Sequence, residues 1–393
     1  MAVKILRRPN QIALLGAPTS AAALLPGHEH APRALREAGL LDRLRSVGYE
    51  VFDHGDDPVL VSAPDNDSPR ARNITNVLKS LEALKPRVES AVKSGALPVI
   101  LSGDCSVALA VVAGLRRYYR SPGLIYLDRD ADLNTPATTP SGCVDGMVVS
   151  HLTGRGAAEL VRFWGEPPLV REPDLVLFGV DRLDPPEEEF LAKAPIPRFL
   201  AVDIHRKGAA AAARDAVERV HGARHEFVLH FDVDVISEFA ATNYPGSRGL
   251  SLSQVREALE VFVTQKNLAA IVVAAYNPEK DADASGANEI IDLLVRALAA
   301  RVESLQAAAA ASGASAVPPP AAVSSAAKSE PEPEPDAARE PESAAASEPA
   351  LPTAAASEAW SSDLLDDASA EPVESPDSSE SSGSAEESEE RPS

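Results

Sequence analysis

Short, continuous apolar runs alternate with longer segments of helical period through the first 305 residues. The runs predict strands over Gln11–Ala17, Glu50–Asp53, Pro98–Ser102, Gly123–Asp128, Leu175–Val180, Arg198–Val202, Phe227–Asp232 and Ala269–Ala275. The periodic segments predict helices over Pro32–Val47, Arg72–Lys93, Ser106–Tyr118, Ala209–Val220, Ser253–Val263 and Ala287–Leu305. Ser253, followed by Glu257, is the expected cap of the fifth of these. The alternation of strand-like runs with helical segments predicts an α/β fold whose mainly parallel sheet is covered on both sides. Ligands of such sheets bind beyond the carboxyl ends of the strands.

From Gln306 the pattern stops. Ala, Pro, Ser and Glu dominate, and too little apolar side chain remains to form a core, so residues 306–393 are expected to be a disordered tail. One island in it, Trp360–Leu365 (WSSDLL), has the look of a docking motif for a protein partner, against the plainer reading of an incidental Trp in a solvated tail.

Charge divides the chain at the same place. The formal net charge is −22; from Gln306 onward 19 acidic residues face three basic ones, a net −16, which leaves −6 for the first 305. The folded part is therefore nearly balanced and has no basic stripe to bind nucleic acid. No apolar segment reaches the ~20 residues of a membrane helix. Two cysteines, Cys105 and Cys143, are too few for a disulfide framework and fit a reducing cytosol.

The candidate chemistry lies at two strand ends. In GLIYLDRDADLN, Asp128, Asp130 and Asp132 follow an apolar run at alternate positions; in FVLHFDVDV, Asp232 and Asp234 follow another. Period two would put each set on one side of an extended chain and would point Arg129 to the opposite side. Clustered carboxylates at a buried strand end repel one another unless a cation sits among them, and hard oxygen ligands suit divalent ions.

Several motifs in order resemble those of the ureohydrolase family of arginases, agmatinases and formiminoglutamases. They are IALLGAPTS near the start, HGD at His54–Asp56, SGDCS at Ser102–Ser106, DRDADLNTP at Asp128–Pro136, SGCVDGM at Ser141–Met147, FDVD at Phe231–Asp234 and AAYNP at Ala274–Pro278. The resemblance covers roughly residues 10–300. It implies a three-layer α/β/α fold with an eight-stranded sheet, a cytoplasmic homo-oligomer, and hydrolysis of a C–N bond in a linear amidine or guanidino compound.

It also implies a site. One divalent ion would be held by Cys105, Asp128, Asp132 and Asp232, and a second by Asp128, Asp130, Asp232 and Asp234. Manganese is the family's metal, and the Cys105 thiolate pulls the preference toward zinc or iron. Asp145 would carry the leaving group's proton. Asn134 and Ser141 would meet the carboxylate of an amino-acid substrate, and Asp184 and Glu187 its amino group. The departures are specific: Cys105 and Asp130 stand where the family has ligand histidines, Asp145 where it has a proton-shuttling His, and Ala275 where a Glu holds the guanidinium. Cys143 is expected to be a structural thiol, and His151 and His205 to be core or surface residues. The rival reading is a non-catalytic relative that keeps the fold and binds a metal or small ligand.

Overall fold

The computed structural model describes residues 5–221 and 226–311. The expectations for the tail beyond Ala311, including Trp360–Leu365, lie outside the described residues. In chain order the elements are β1 (Gln11–Ala17), α1 (Ala31–Glu37), α2 (Leu40–Ser46), β2 (Glu50–Asp56), α3 (Ile74–Ser94), β3 (Leu97–Ser102), α4 (Ala108–Leu115) and β4 (Gly123–Leu127). There follow α5 (Val148–Leu152), α6 (Ala158–Val161), β5 (Leu175–Val180), α7 (Pro185–Leu191), β6 (Arg198–Leu200), α8 (Ala201–Lys207) and α9 (Ala209–His221). The last are β7 (Phe227–Asp232), α10 (Leu252–Val263), β8 (Leu268–Ala274) and α11 (Ser285–Ala311).

The eight strands form one sheet in the order β2-β1-β3-β8-β7-β4-β5-β6, and every pairing is parallel. Alternate residues of one strand feed opposite layers, as period two requires. Ile12 and Leu14 of β1 pack with Leu35, Leu44, Phe262 and Ile290 from α1, α2, α10 and α11. Ala13 and Leu15 pack with Leu81, Val88, Val112 and Val149 from α3, α4 and α5. The result is the expected α/β/α sandwich. The edge strand β2 is mostly polar and exposed, which blunts an open edge.

Element boundaries moved where local chemistry outweighed periodicity. The single helix expected over Pro32–Val47 is two, because Gly39 at φ 90° ends one turn and starts the next. The expected strand over Arg198–Val202 ends at Leu200, and α8 begins at once. The last helix does not stop at Leu305 but runs into the alanine run as far as Ala311. The cap of α10 is Ser251, not Ser253. Its hydroxyl accepts the Gln254 amide at 3.3 Å while the Gln254 side chain accepts the Ser251 amide at 3.0 Å, a reciprocal pair. Ser251→Ala should therefore destabilise the protein by about 1 kcal/mol, read from urea midpoints, whereas Ser253→Ala should shift it by less than about 0.5 kcal/mol.

His151 shows how one side chain ties down a connection. It is fully buried on α5; its Nδ1 lies 2.7 Å from the Met147 carbonyl and its Nε2 accepts the Ala157 amide at 3.1 Å. Both nitrogens are satisfied only in the neutral ring, and burial lowers its pKa to about 4. The unfolded chain, with an ordinary His pKa near 6.5, then binds more protons than the folded one between the two values. The neutral ring's contribution is complete above pH ~6.5 and is lost as pH falls toward 4. Relative to wild type, His151→Gln should flatten the fall in stability between pH 7 and 4.5 by roughly 2–3 kcal/mol; equal slopes would exclude this assignment.

Candidate metal centre

β4 and β7 are neighbours in register, with Leu127 opposite Phe231, so the two acidic strand ends meet side by side at the carboxyl edge of the sheet. Asp128 and Asp232 are the first residues past Leu127 and Phe231. Each turns its carboxylate onto the amide two residues on: Asp128 accepts from Asp130 N at 2.7 Å, and Asp232 from Asp234 N at 2.8 Å. These local turns hold the carboxylates over the strand ends.

Cys105 comes from the loop after β3. Gly103 passes so close to Thr19 that an added Cβ would lie 1.8 Å from its carbonyl oxygen. Buried Asp104 then ties the loop down, accepting from Ala22 N at 3.0 Å, Ser106 N at 3.1 Å and the Ser106 hydroxyl. Cys105 is thereby aimed inward. Its Sγ lies 2.8 Å from Asp232 Oδ2, and its backbone N–H donates to Asp145 Oδ1 at 2.8 Å. Asp145 is buried beside the cluster.

The expected ligands sort into two groups of converging donor atoms. One brings together Cys105, Asp128 and Asp232 with His230, and the other Asp128, Asp130 and Asp234; within each, the atoms lie within 4.8 Å of one another. Asp132 joins neither. Its carboxylate takes the Tyr126 hydroxyl, and its carbonyl accepts the Val149 and Ser150 amides at the start of α5. To point that carbonyl there Asp132 adopts φ 49°, in the left-handed region. Sequence reasoning left out His230, although its place two residues before Asp232 put it on the same strand face.

Two cations were also misplaced or missed. Arg129 does not point away: β4 ends at Leu127, so strand alternation no longer governs it. Its buried guanidinium lies 3.4 Å from Asp234 Oδ2 and donates to the Tyr244 carbonyl at 2.6 Å. Gly246 leaves the room, since a Cβ there would fall 1.5 Å from Arg129 Nη1. Arg182, carried in by β5, grips both oxygens of Asp130. No sequence pattern joined Arg182 to Asp130; only the β4–β5 pairing does.

The electrostatics follow from burial. Desolvation, then the neighbouring acids, push Asp128 and Asp232 well above the usual carboxylate range. The same two causes raise the Cys105 thiol. Asp145 is pushed up to about 8 by burial and by Asp104. Asp234 rises only to about 6, because Arg129 and Arg182 offset burial and Asp130. A divalent ion would reverse these shifts, since a bound cation favours the ionised ligands. The donor set fits one: an S, N and O group converges, and the buried Asp234 Oδ1 and both ring nitrogens of His230 have no hydrogen-bond partner among the described residues.

The four residues expected to bind substrate lie on the loops past β4 and β5 and, for Glu187, in the first turn of α7, and they mostly engage one another. Asn134 Nδ2 donates to Asp184 Oδ2 at 2.7 Å. Glu187 accepts the Leu133, Asn134 and Asp184 amides, so its carboxylate shapes the two loops. Ser141 is exposed and accepts the Cys143 amide at 3.2 Å. Ala275 is buried at φ 67°, with its N–H on the Gly103 carbonyl at 2.7 Å. Cys143 is buried, with Arg72 Nη1 3.9 Å from its sulfur.

Comparison with known proteins agrees with this architecture. A family model described as "Arginase family" matches residues 10–300, and this chain belongs to that family. It is 28% identical to an arginase of Bacillus caldovelox over 69% of this chain and 92% of that one, and 32% identical to an arginase of Bacillus subtilis over 50% and 66%. The crystal structure of an arginase from Bacillus cereus superposes with a TM-score of 0.67 at 26% identity, covering 74% of this chain and 98% of that one. No helix among the described residues is long and apolar enough to cross a membrane.

Proposed function

We propose that this chain is a metal-dependent hydrolase of the arginase type that cleaves a C–N bond of a linear amidine or guanidino compound. The observation that carries the reading is the convergence of Cys105, Asp128 and Asp232 beyond β4 and β7, in a chain whose residues 10–300 match the family. Cys105, Asp128 and Asp232 would hold one ion, and Asp128, Asp130 and Asp234 a second. A bound ion would supply an activated water and polarise the substrate's carbon.

The chain's own residues do the rest. Asp145, buried and fixed by the Cys105 amide, holds a proton for the departing amine. Asn134, braced by Asp184, and the exposed Ser141 hydroxyl would meet the far end of the substrate. Glu187 keeps the two rim loops in register. Ala275 gives the inner end of the site no anion, so the substrate's reacting group is bound with less charge assistance than a Glu would give. The same reading makes the protein a cytosolic homo-oligomer.

The rival, a non-catalytic relative, draws on one observation: Arg129 and Arg182 already neutralise two of the acids. Elemental analysis of the purified full chain, followed by a panel of guanidino and amidino compounds scored for urea or ammonia release, separates the two. Turnover that chelation abolishes supports the hydrolase. Ligand binding without release supports the rival.

A further inference from the structure

His230 is fully buried on β7, and neither ring nitrogen has a hydrogen-bond partner among the described residues. His28 and His151, equally buried, each have at least one. A buried, unpartnered imidazole is costly unless something else uses its lone pair. The ring is held rigidly: it stacks on Tyr126, its register partner on β4, with centroids 4.3 Å apart and planes 5° from parallel. Residues two apart share a strand face, so His230 lies one layer beneath Asp232, and Tyr126 one layer beneath Asp128. From there a ring nitrogen comes within 4.8 Å of Cys105 Sγ and of carboxylate oxygens of Asp128 and Asp232.

We propose that His230 is a metal ligand and that the chain binds a single ion in a Cys105–Asp128–His230–Asp232 site selective for zinc-type ions over manganese. The proposal rests on reading the cluster as a metal centre, and it changes both the ligand set and the number of ions. Asp132 is held back by the Tyr126 hydroxyl and by its ties to α5, and His230 takes the fourth position. A thiolate and an imidazole favour zinc, cobalt or ferrous iron, whereas manganese prefers an all-oxygen shell. At the second group, the Arg129 guanidinium on Asp234 and the Arg182 guanidinium on Asp130 supply the positive charge that a second ion would bring.

The test uses the full chain, stripped by chelation and titrated separately with Co²⁺, Zn²⁺ and Mn²⁺. One Co²⁺ per chain with a thiolate-to-metal charge-transfer band is expected, and Zn²⁺ should bind at least about 100-fold more tightly than Mn²⁺. His230→Gln should weaken Zn²⁺ by about 10-fold or more. Asp132→Asn should change it by less than about threefold. X-ray absorption of the wild-type zinc protein, which needs no variant to fold, should show one sulfur and one imidazole. Absence of imidazole scattering, two ions per chain, or a larger loss from Asp132→Asn than from His230→Gln overturns the proposal. A manganese-loaded protein that hydrolyses a guanidino compound would overturn it while leaving the hydrolase reading intact; a chain that binds no ion would remove both.

Discussion

Asp128→Asn should raise the stability of the metal-free protein and remove most of its response to metal. Asp128 is the one residue common to both groups of converging donors; it is buried and lies among Asp130, Asp132, Asp232 and Asp234. Its ionised carboxylate is opposed by desolvation and by those four acids. An amide removes that charge at nearly the same volume, and its oxygen can still accept the Asp130 amide. The metal-free variant should gain about 1–2 kcal/mol, a rise of roughly 2–5 °C in Tm. Apparent binding energies of about 10–16 kcal/mol for four-ligand sites leave about 3 kcal/mol per ligand, so affinity for the ion should fall on the order of 100-fold. Wild type, given ion at about 100 times its Kd, should gain about 2.7 kcal/mol. Differential scanning calorimetry of both proteins with and without chelator reads both effects. A variant less stable than wild type without metal would show that repulsion at this strand end is not what metal relieves.

Gly103→Ala should be the most damaging small substitution in the site. The added methyl would meet the backbone of Thr19 and, at 2.9 Å, the carbonyl oxygen of His28, so no flexible side chain can yield. The Gly103 carbonyl also anchors Ala275, and its amide donates to Ala17 O at 3.1 Å. A shift of this residue therefore pulls β1 and β8 as well as the Cys105 loop. We expect a loss of about 3 kcal/mol or more in urea unfolding, together with loss of bound metal, because Cys105 sits two residues on. Cys143→Ala, a buried thiol outside both donor groups, is the matched control and should leave metal content unchanged.

The six inner strands were legible because they are buried on both faces and so read as continuous apolar runs bounded by Gly, Pro or charge, whereas the exposed edge strands β2 and β6 offered only short mixed runs. All eight appear within a few residues of their expected places. The short helices α5, α6, α7 and α8 carry too few turns to show a period, and no sequence pattern marked them.

Within the site, residues on a single strand end were legible: Asp128 and Asp232 stand where the apolar runs stop, and period two is a local rule. Which partner each side chain meets was decided by the sheet order. Setting β4 between β7 and β5 brings Arg182 onto Asp130, lays His230 on Tyr126, and lets Arg129 turn toward Asp234 once the strand has ended. Sequence alone determined that acids gather at the carboxyl edge of a parallel sheet, because burial and alternation are properties of one strand. The tertiary structure decided which of those acids remain open to a metal ion, because the competing guanidinium and phenol groups come from residues or strands whose approach only the packed sheet sets.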